Sequence, residues 1–196
     1  MSYLIIKLKT ISMIDLLIDA LKEITSDYVE YVNSAGVKCK HLERIFAYEL
    51  YRQWANKLED PINNPEKLIL HGEIVKGFEN QTRRYPDFVL HGSQGDYEHQ
   101  EIVCEIKRNK NLSKKSYIAD LNKISEFFNS DKTFAHPFKH GVFILVGGNM
   151  NSIRSLSRKL PNKIVKNADK IFIISHRGNE TFNPEEDVKR LDSIIL

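Results

Sequence analysis

Arg84-Tyr85-Pro86-Asp87-Phe88-Val89-Leu90 and Ile102-Val103-Cys104-Glu105-Ile106-Lys107-Arg108 are the two segments on which the fold turns. Between them, Gly92-Ser93-Gln94-Gly95-Asp96 is a strong turn signal, so the spacing predicts a hairpin of strands Tyr85–His91 and Glu101–Arg108. Side chains alternate along a strand, so Glu105 and Lys107 share one face while Ile102, Cys104 and Ile106 share the other. Ionised groups are costly to bury unless paired or metal-bound, and here a charged pair interrupts an otherwise apolar strand. A turn centred on Asp96 sets Asp87 opposite Glu105, with Cα atoms about 5.5 Å apart. Facing carboxylates repel unless a cation stands between them, and hard oxygen ligands with room for water suit Mg²⁺. Two plainer readings stay open at this point. Glu105 and Lys107 could be a solvent-facing pair on an edge strand, and Asp87, following a proline, could be a turn or cap residue.

Working outward, Ile14, Leu17, Ile18, Leu21 and Ile24 recur at helical spacing and predict a helix over about Ser12 to Tyr31. A second helix is expected from Lys40 to Leu58, with Leu42, Ile45, Phe46, Leu50 and Trp54 on one side. The turn formers Asp60-Pro61-Ile62-Asn63-Asn64-Pro65 end it, and a further strand is expected at Lys67 to Lys76. After the hairpin come a helix at Ser116 to Asn129 and a doubly buried strand at Gly141 to Val146. A helix at Ser152 to Leu160, a short strand at Ile171 to Ile174 and a terminal helix at Glu185 to Leu196 complete the expectation. Hairpins followed by α/β crossovers predict an α/β fold, a mixed sheet with helices on both sides. The 196 residues fit one domain, with an N-terminal helical segment of about 1–36 packed on its core.

The net charge of +3 tolerates an anionic partner without demonstrating one. Cys39 and Cys104 form neither a disulfide framework nor the paired spacing of a zinc site, which favours a reducing compartment. No apolar run approaches the ~18 residues that span a bilayer, and Met1 to Met13 lacks the pattern of a secretory signal. A soluble, cytoplasmic protein is expected. The histidines show no HxxH or HExxH spacing, and no Lys-Ser/Thr follows Gly147-Gly148, so neither a zinc site nor a P-loop is indicated.

Pro86-Asp87 and Glu105-Ile106-Lys107, on adjacent strands after a Glu-bearing helix and before a helix–strand pair, resemble the PD-(D/E)XK nuclease superfamily. The resemblance covers about Leu42 to Val146 and implies a restriction-endonuclease-like core. It implies that Asp87 and Glu105, with the backbone carbonyl of Ile106, bind Mg²⁺ or Mn²⁺. Lys107 would orient the attacking water and stabilise developing negative charge. The family often draws another acid from the preceding helix. Glu49 matches best, lying within the apolar sector of that helix, with Glu43 at its other margin.

Asp120 and Lys123 on the following helix resemble accessory polar residues of some family members, or form an exposed polar face. Arg83, Arg84, Arg108 and Lys123 could hold phosphates, with DNA the expected partner; a solvated charge run is the alternative. Double-strand cutting by so small a domain would require two sites, hence a homodimer. Two functional expectations follow: a metal-dependent phosphodiesterase acting on DNA, or a non-catalytic binding or interaction module on a nuclease-like fold.

Overall fold

The computed structural model describes residues 12–30, 42–72, 86–93, 98–109, 112–128 and 136–195. Six strands form one mixed sheet whose spatial order is the order of the sequence. β2 (Phe88–His91) runs antiparallel to both of its neighbours, β1 (Ile69–Gly72) and β3 (Gln100–Arg108). β4 (His140–Val146) and β5 (Ile171–His176) then join in parallel, and β6 (Val188–Arg190) closes the edge antiparallel to β5. The β2–β3 register pairs Phe88 with Cys104 and Leu90 with Ile102, then slips between Leu90 and His91. The described ladder ends at Phe88–Cys104, so Asp87, expected inside a strand Tyr85–His91, directly precedes β2 instead.

Two parallel crossovers advancing in one direction must, if both are right-handed, lie on the same face of the sheet. That face carries α3 (Lys114–Glu126), α4 (Met150–Leu156) and α5 (Asn162–Val165). Tyr117, Leu121, Ile124, Ile153 and Ile164 pack there on Val89, Val103, Phe143 and Leu145. The opposite face falls to α1 (Met13–Lys22) and α2 (Leu42–Leu58). Leu17, Leu21, Phe46, Leu50 and Trp54 cover Ile102, Cys104, Ile106 and Ile144. Each β3 residue thus reports its face: even-numbered apolar residues look to α1 and α2, while Val103, and by alternation Glu105 and Lys107, look to α3.

Local chemistry explains the helix ends. Ser12 accepts from the Asp15 N–H and Asp15 answers back, a capping box that opens α1; Ser113 and Ser116 do the same for α3. Gly141 lets α3 approach β4, since a Cβ there would stand 2.2 Å from Ile124 Cγ2. At the far side His176 Nε2 donates to the Leu21 carbonyl at 2.8 Å and Gly178 N–H donates to Nδ1. These bonds fix the neutral tautomer, and burial lowers the ring's pKa.

The structure departs from the sequence expectations at several ends. α1 stops at Lys22 and a 3-10 turn follows at Ser26–Tyr28, because Thr25-Ser26-Asp27 favours turns over helix. α4 ends at Leu156, with Lys159 at φ 55°, and the chain turns again into α5. The expected terminal helix is a single turn, α6 (Pro184–Asp187), then β6 and a 3-10 turn. The open edge of β5 offers ladder bonds that outweigh the weak helical pattern of Val188-Lys189-Arg190. The expected first strand is formed at Ile69–Gly72, and its remainder from 73 lies outside the described residues. Among the described residues no helix is long and apolar enough to cross a membrane.

Candidate active site

Among the described residues, β2 pairs with β3 only as far as Phe88 opposite Cys104, while β3 continues to Arg108. The N–H groups of Ile106 and Arg108, two residues apart, face the same edge. Both meet a carboxylate: Asp87 Oδ2 accepts from Ile106 N–H at 2.6 Å, and Glu43 Oε2 accepts from Arg108 N–H at 2.9 Å. A strand residue points its carbonyl to the same edge as its N–H, so the Ile106 carbonyl opens beside Asp87.

Glu105 stands on the α3 face and is 5% exposed. Lys123 of α3 brings its Nζ to 2.6 Å from Glu105 Oε1, and Lys107 Nζ lies 3.7 Å from Asp120 Oδ2. Both contacts oppose the cost of burying these carboxyls. Burial, then the charge of Asp87, pushes the Glu105 carboxyl up to about 8 against the pull of Lys123. Burial likewise raises Asp87, opposed by the Ile106 hydrogen bond and by Lys123 and Lys107. It raises Asp120, opposed first by Lys107. Glu43 raises both Asp87 and Asp120, so all four acids share one field. Among the described residues, four carboxyls, Glu43, Asp87, Glu105 and Asp120, thus gather beside the ammonium groups of Lys107 and Lys123.

Of the sequence-predicted residues, Asp87, Glu105, Ile106 and Lys107 come together around this strand edge. Glu49 does not join them. It is 5% exposed and held by Arg52 at 2.6 Å and by Gln53 at 2.8 Å, and the Arg52 hydrogen bond lowers its pKa. The helix acid that reaches the site is Glu43. Six residues along a helix is about 120° around it, so one helix cannot present both acids to the same edge. Glu43 lies at the margin of the apolar sector nearer β3, a signal present in the sequence that did not by itself choose between the two. Lys123, expected at phosphates, stands against Glu105. Arg108 is half-buried at the end of β3, its backbone tied to Glu43. Arg83 and Arg84 lie outside the described residues.

A cleft of about 570 Å³ opens onto this edge. Its floor is Asp87, Phe88 and Ile106, one rim is His71 and Gly72, and α2 supplies the facing wall. Among the described residues no group of three or more His, Cys, Asp or Glu side chains is arranged to hold an ion. Any cation held here would therefore rest on fewer side chains, completed by a backbone carbonyl and water. Comparison with protein-family models, with curated proteins and with solved structures found no match to this chain.

Proposed function

We propose that the chain is a divalent-cation-dependent nuclease that hydrolyses phosphodiester bonds in DNA, on a restriction-endonuclease-like core. The observation that carries this reading is the gathering of the Glu43, Asp87, Glu105 and Asp120 carboxyls beside Lys107 and Lys123 at the end of β3, with the Glu105 carboxyl raised to about 8 by burial and by the charge of Asp87. A divalent ion would offset the charge that these acids carry once ionised. Asp87, Glu105 and the Ile106 carbonyl offer the hard oxygen donors that Mg²⁺ or Mn²⁺ takes, with water completing the shell.

A bound divalent ion would supply an acidified water and offset charge on the phosphoryl oxygens. The rest falls to the chain. Asp87 holds its carboxylate in place through Ile106 N–H, and Glu43 fixes the end of β3 through Arg108 N–H. Lys107, partly exposed beside Asp120, orients the attacking water and meets the charge that develops on the phosphate. Lys123 holds Glu105 until the cation arrives. Action in the cytoplasm belongs to the same proposal, as does pairing of two copies of the chain.

A second reading has its own support: each acid of the cluster already has a donor or a cation within reach, so the network is balanced enough to stand as a non-catalytic binding module. Cleavage of plasmid and single-stranded DNA, with and without Mg²⁺, decides between them. Wild type is expected to cut only with the cation and Asp87→Ala not at all. Binding that falls steeply with salt but never leads to cutting would support the module instead.

A further inference from the structure

Arg44, Ala47, Tyr48 and Tyr51 follow one another along α2 at the spacing of a single helical stripe. This stripe lies beside the core stripe of Phe46, Leu50 and Trp54 and forms the wall of the cleft. Its aromatic rings are not spent on the core: Tyr48 is 66% exposed and Tyr51 39%. Tyr51 is fixed, its hydroxyl donating to the Leu70 carbonyl at 3.2 Å and its ring 6.0 Å from that of Phe88. Tyr48, one residue beyond Ala47 and one turn after Arg44, stands further out at the mouth.

The charge of the cleft decides what this wall can hold. Asp87 on the floor and Glu43 on the α2 wall make its inner end acidic, which repels phosphate until a cation offsets it. A flat uncharged ring is not repelled, and every nucleobase has a face that stacks on an aromatic side chain. The bases of a duplex are already stacked on each other and cannot reach a lone tyrosine at a cleft wall. We infer, on the nuclease reading above, that the Arg44–Tyr48–Tyr51 face of α2 is a stacking platform for an unpaired nucleotide, so that the site acts on single-stranded DNA. A base rests on Tyr48, a neighbouring phosphate meets Arg44, and the next phosphodiester is presented to Asp87.

The test is the affinity of a fluorescent single strand and of its matching duplex for wild type, Tyr48→Ala and Tyr48→Phe, measured with Ca²⁺ in place of Mg²⁺ to hold back cutting. Removing one stacked base typically weakens single-strand binding by roughly 5- to 150-fold. Tyr48→Ala should do this while leaving duplex binding unchanged, and Tyr48→Phe, which keeps the ring, should restore wild-type affinity. Preferential cutting of the single strand with Mg²⁺ should be lost in Tyr48→Ala. Equal losses on both substrates, no loss on either, or failure of Tyr48→Phe to rescue overturns the platform while the nuclease reading stands. If wild type neither binds nor cuts any DNA, both fall.

Discussion

The Asp87 carboxylate accepts the Ile106 backbone N–H at 2.6 Å, where the next rung of the β2–β3 ladder would stand. One side chain therefore has two tasks, satisfying the strand N–H just past the end of the described ladder and contributing charge to the acidic cluster. The tasks separate on mutation. Asp87→Ala leaves a part-buried N–H unsatisfied and should lower stability by about 1–3 kcal/mol. Asp87→Asn keeps an acceptor oxygen and should hold most of that stability, yet lose cation binding as completely as Ala. Urea unfolding beside calorimetric Mn²⁺ titration measures both, and equal stability loss in the two variants would remove the strand-closing role.

Glu105 should make cation binding strongly pH-dependent. With its carboxyl pushed up to about 8, the metal-free site holds a proton at neutral pH that the cation must displace. Affinity should fall by about tenfold per pH unit below that value, with one proton released on binding. Titration in buffers of different ionisation enthalpy counts the proton, and a pH-independent affinity would exclude Glu105 as a ligand.

The same carboxyl ties folding to pH in the opposite direction to most acids. Its folded pKa of about 8 lies above its ordinary 4.5, so the folded state keeps a proton that the unfolded chain has lost. Its contribution to stability is whole below pH 4.5 and is lost as pH rises through about 8. Glu105→Gln should therefore stabilise the metal-free protein at alkaline pH and change little in acid. Melting curves across that window check the sign.

Lys107→Ala should bind cation and DNA much as wild type does but slow single-turnover cleavage by about 10²–10³, the usual cost of one preorganised electrostatic contact. Unchanged cleavage at saturating cation would make Lys107 a surface lysine.

Of the two acids on α2, only Glu43 should matter to chemistry. Glu43→Ala is expected to reduce cleavage, whereas Glu49→Ala, which breaks pairs with Arg52 and Gln53, should leave cleavage unchanged. The reverse pattern would return Glu49 to the site.

Gly141→Ala should destabilise the fold without touching the cluster, since its Cβ would collide with Ile124 and Phe128. Overpacking of this kind costs about 1–3 kcal/mol. Denaturation midpoints test it.

The hairpin was legible because strand periodicity is strict: alternation assigned Glu105 and Lys107 a face, and the observed Phe88–Cys104 and Leu90–Ile102 pairs follow the register that a turn at Asp96 demands, although the described ladder stops one residue short of Asp87. The helix acid was not legible. Glu43 and Glu49 both flank the apolar sector of α2, and only the path of α2 over the sheet decides which meets β3. β6 was missed for a related reason, since a three-residue edge strand is specified by the neighbour it pairs with more than by its own sequence. The acid–lysine pairs of β3 and α3 needed the packing of one element on another before Lys123 could be placed at Glu105.

A sheet whose strands stand in sequence order can be laid down as the chain is made. Every strand docks on the one just before it, so each pairing closes only the intervening loop and none must be inserted between strands already joined. The bond from His176 to the Leu21 carbonyl spans 155 residues and joins α1 to the far end of β5. That bond has to await β5, which makes the locking of α1 onto His176 an expected late step of folding, after α2 has covered its part of the same sheet face.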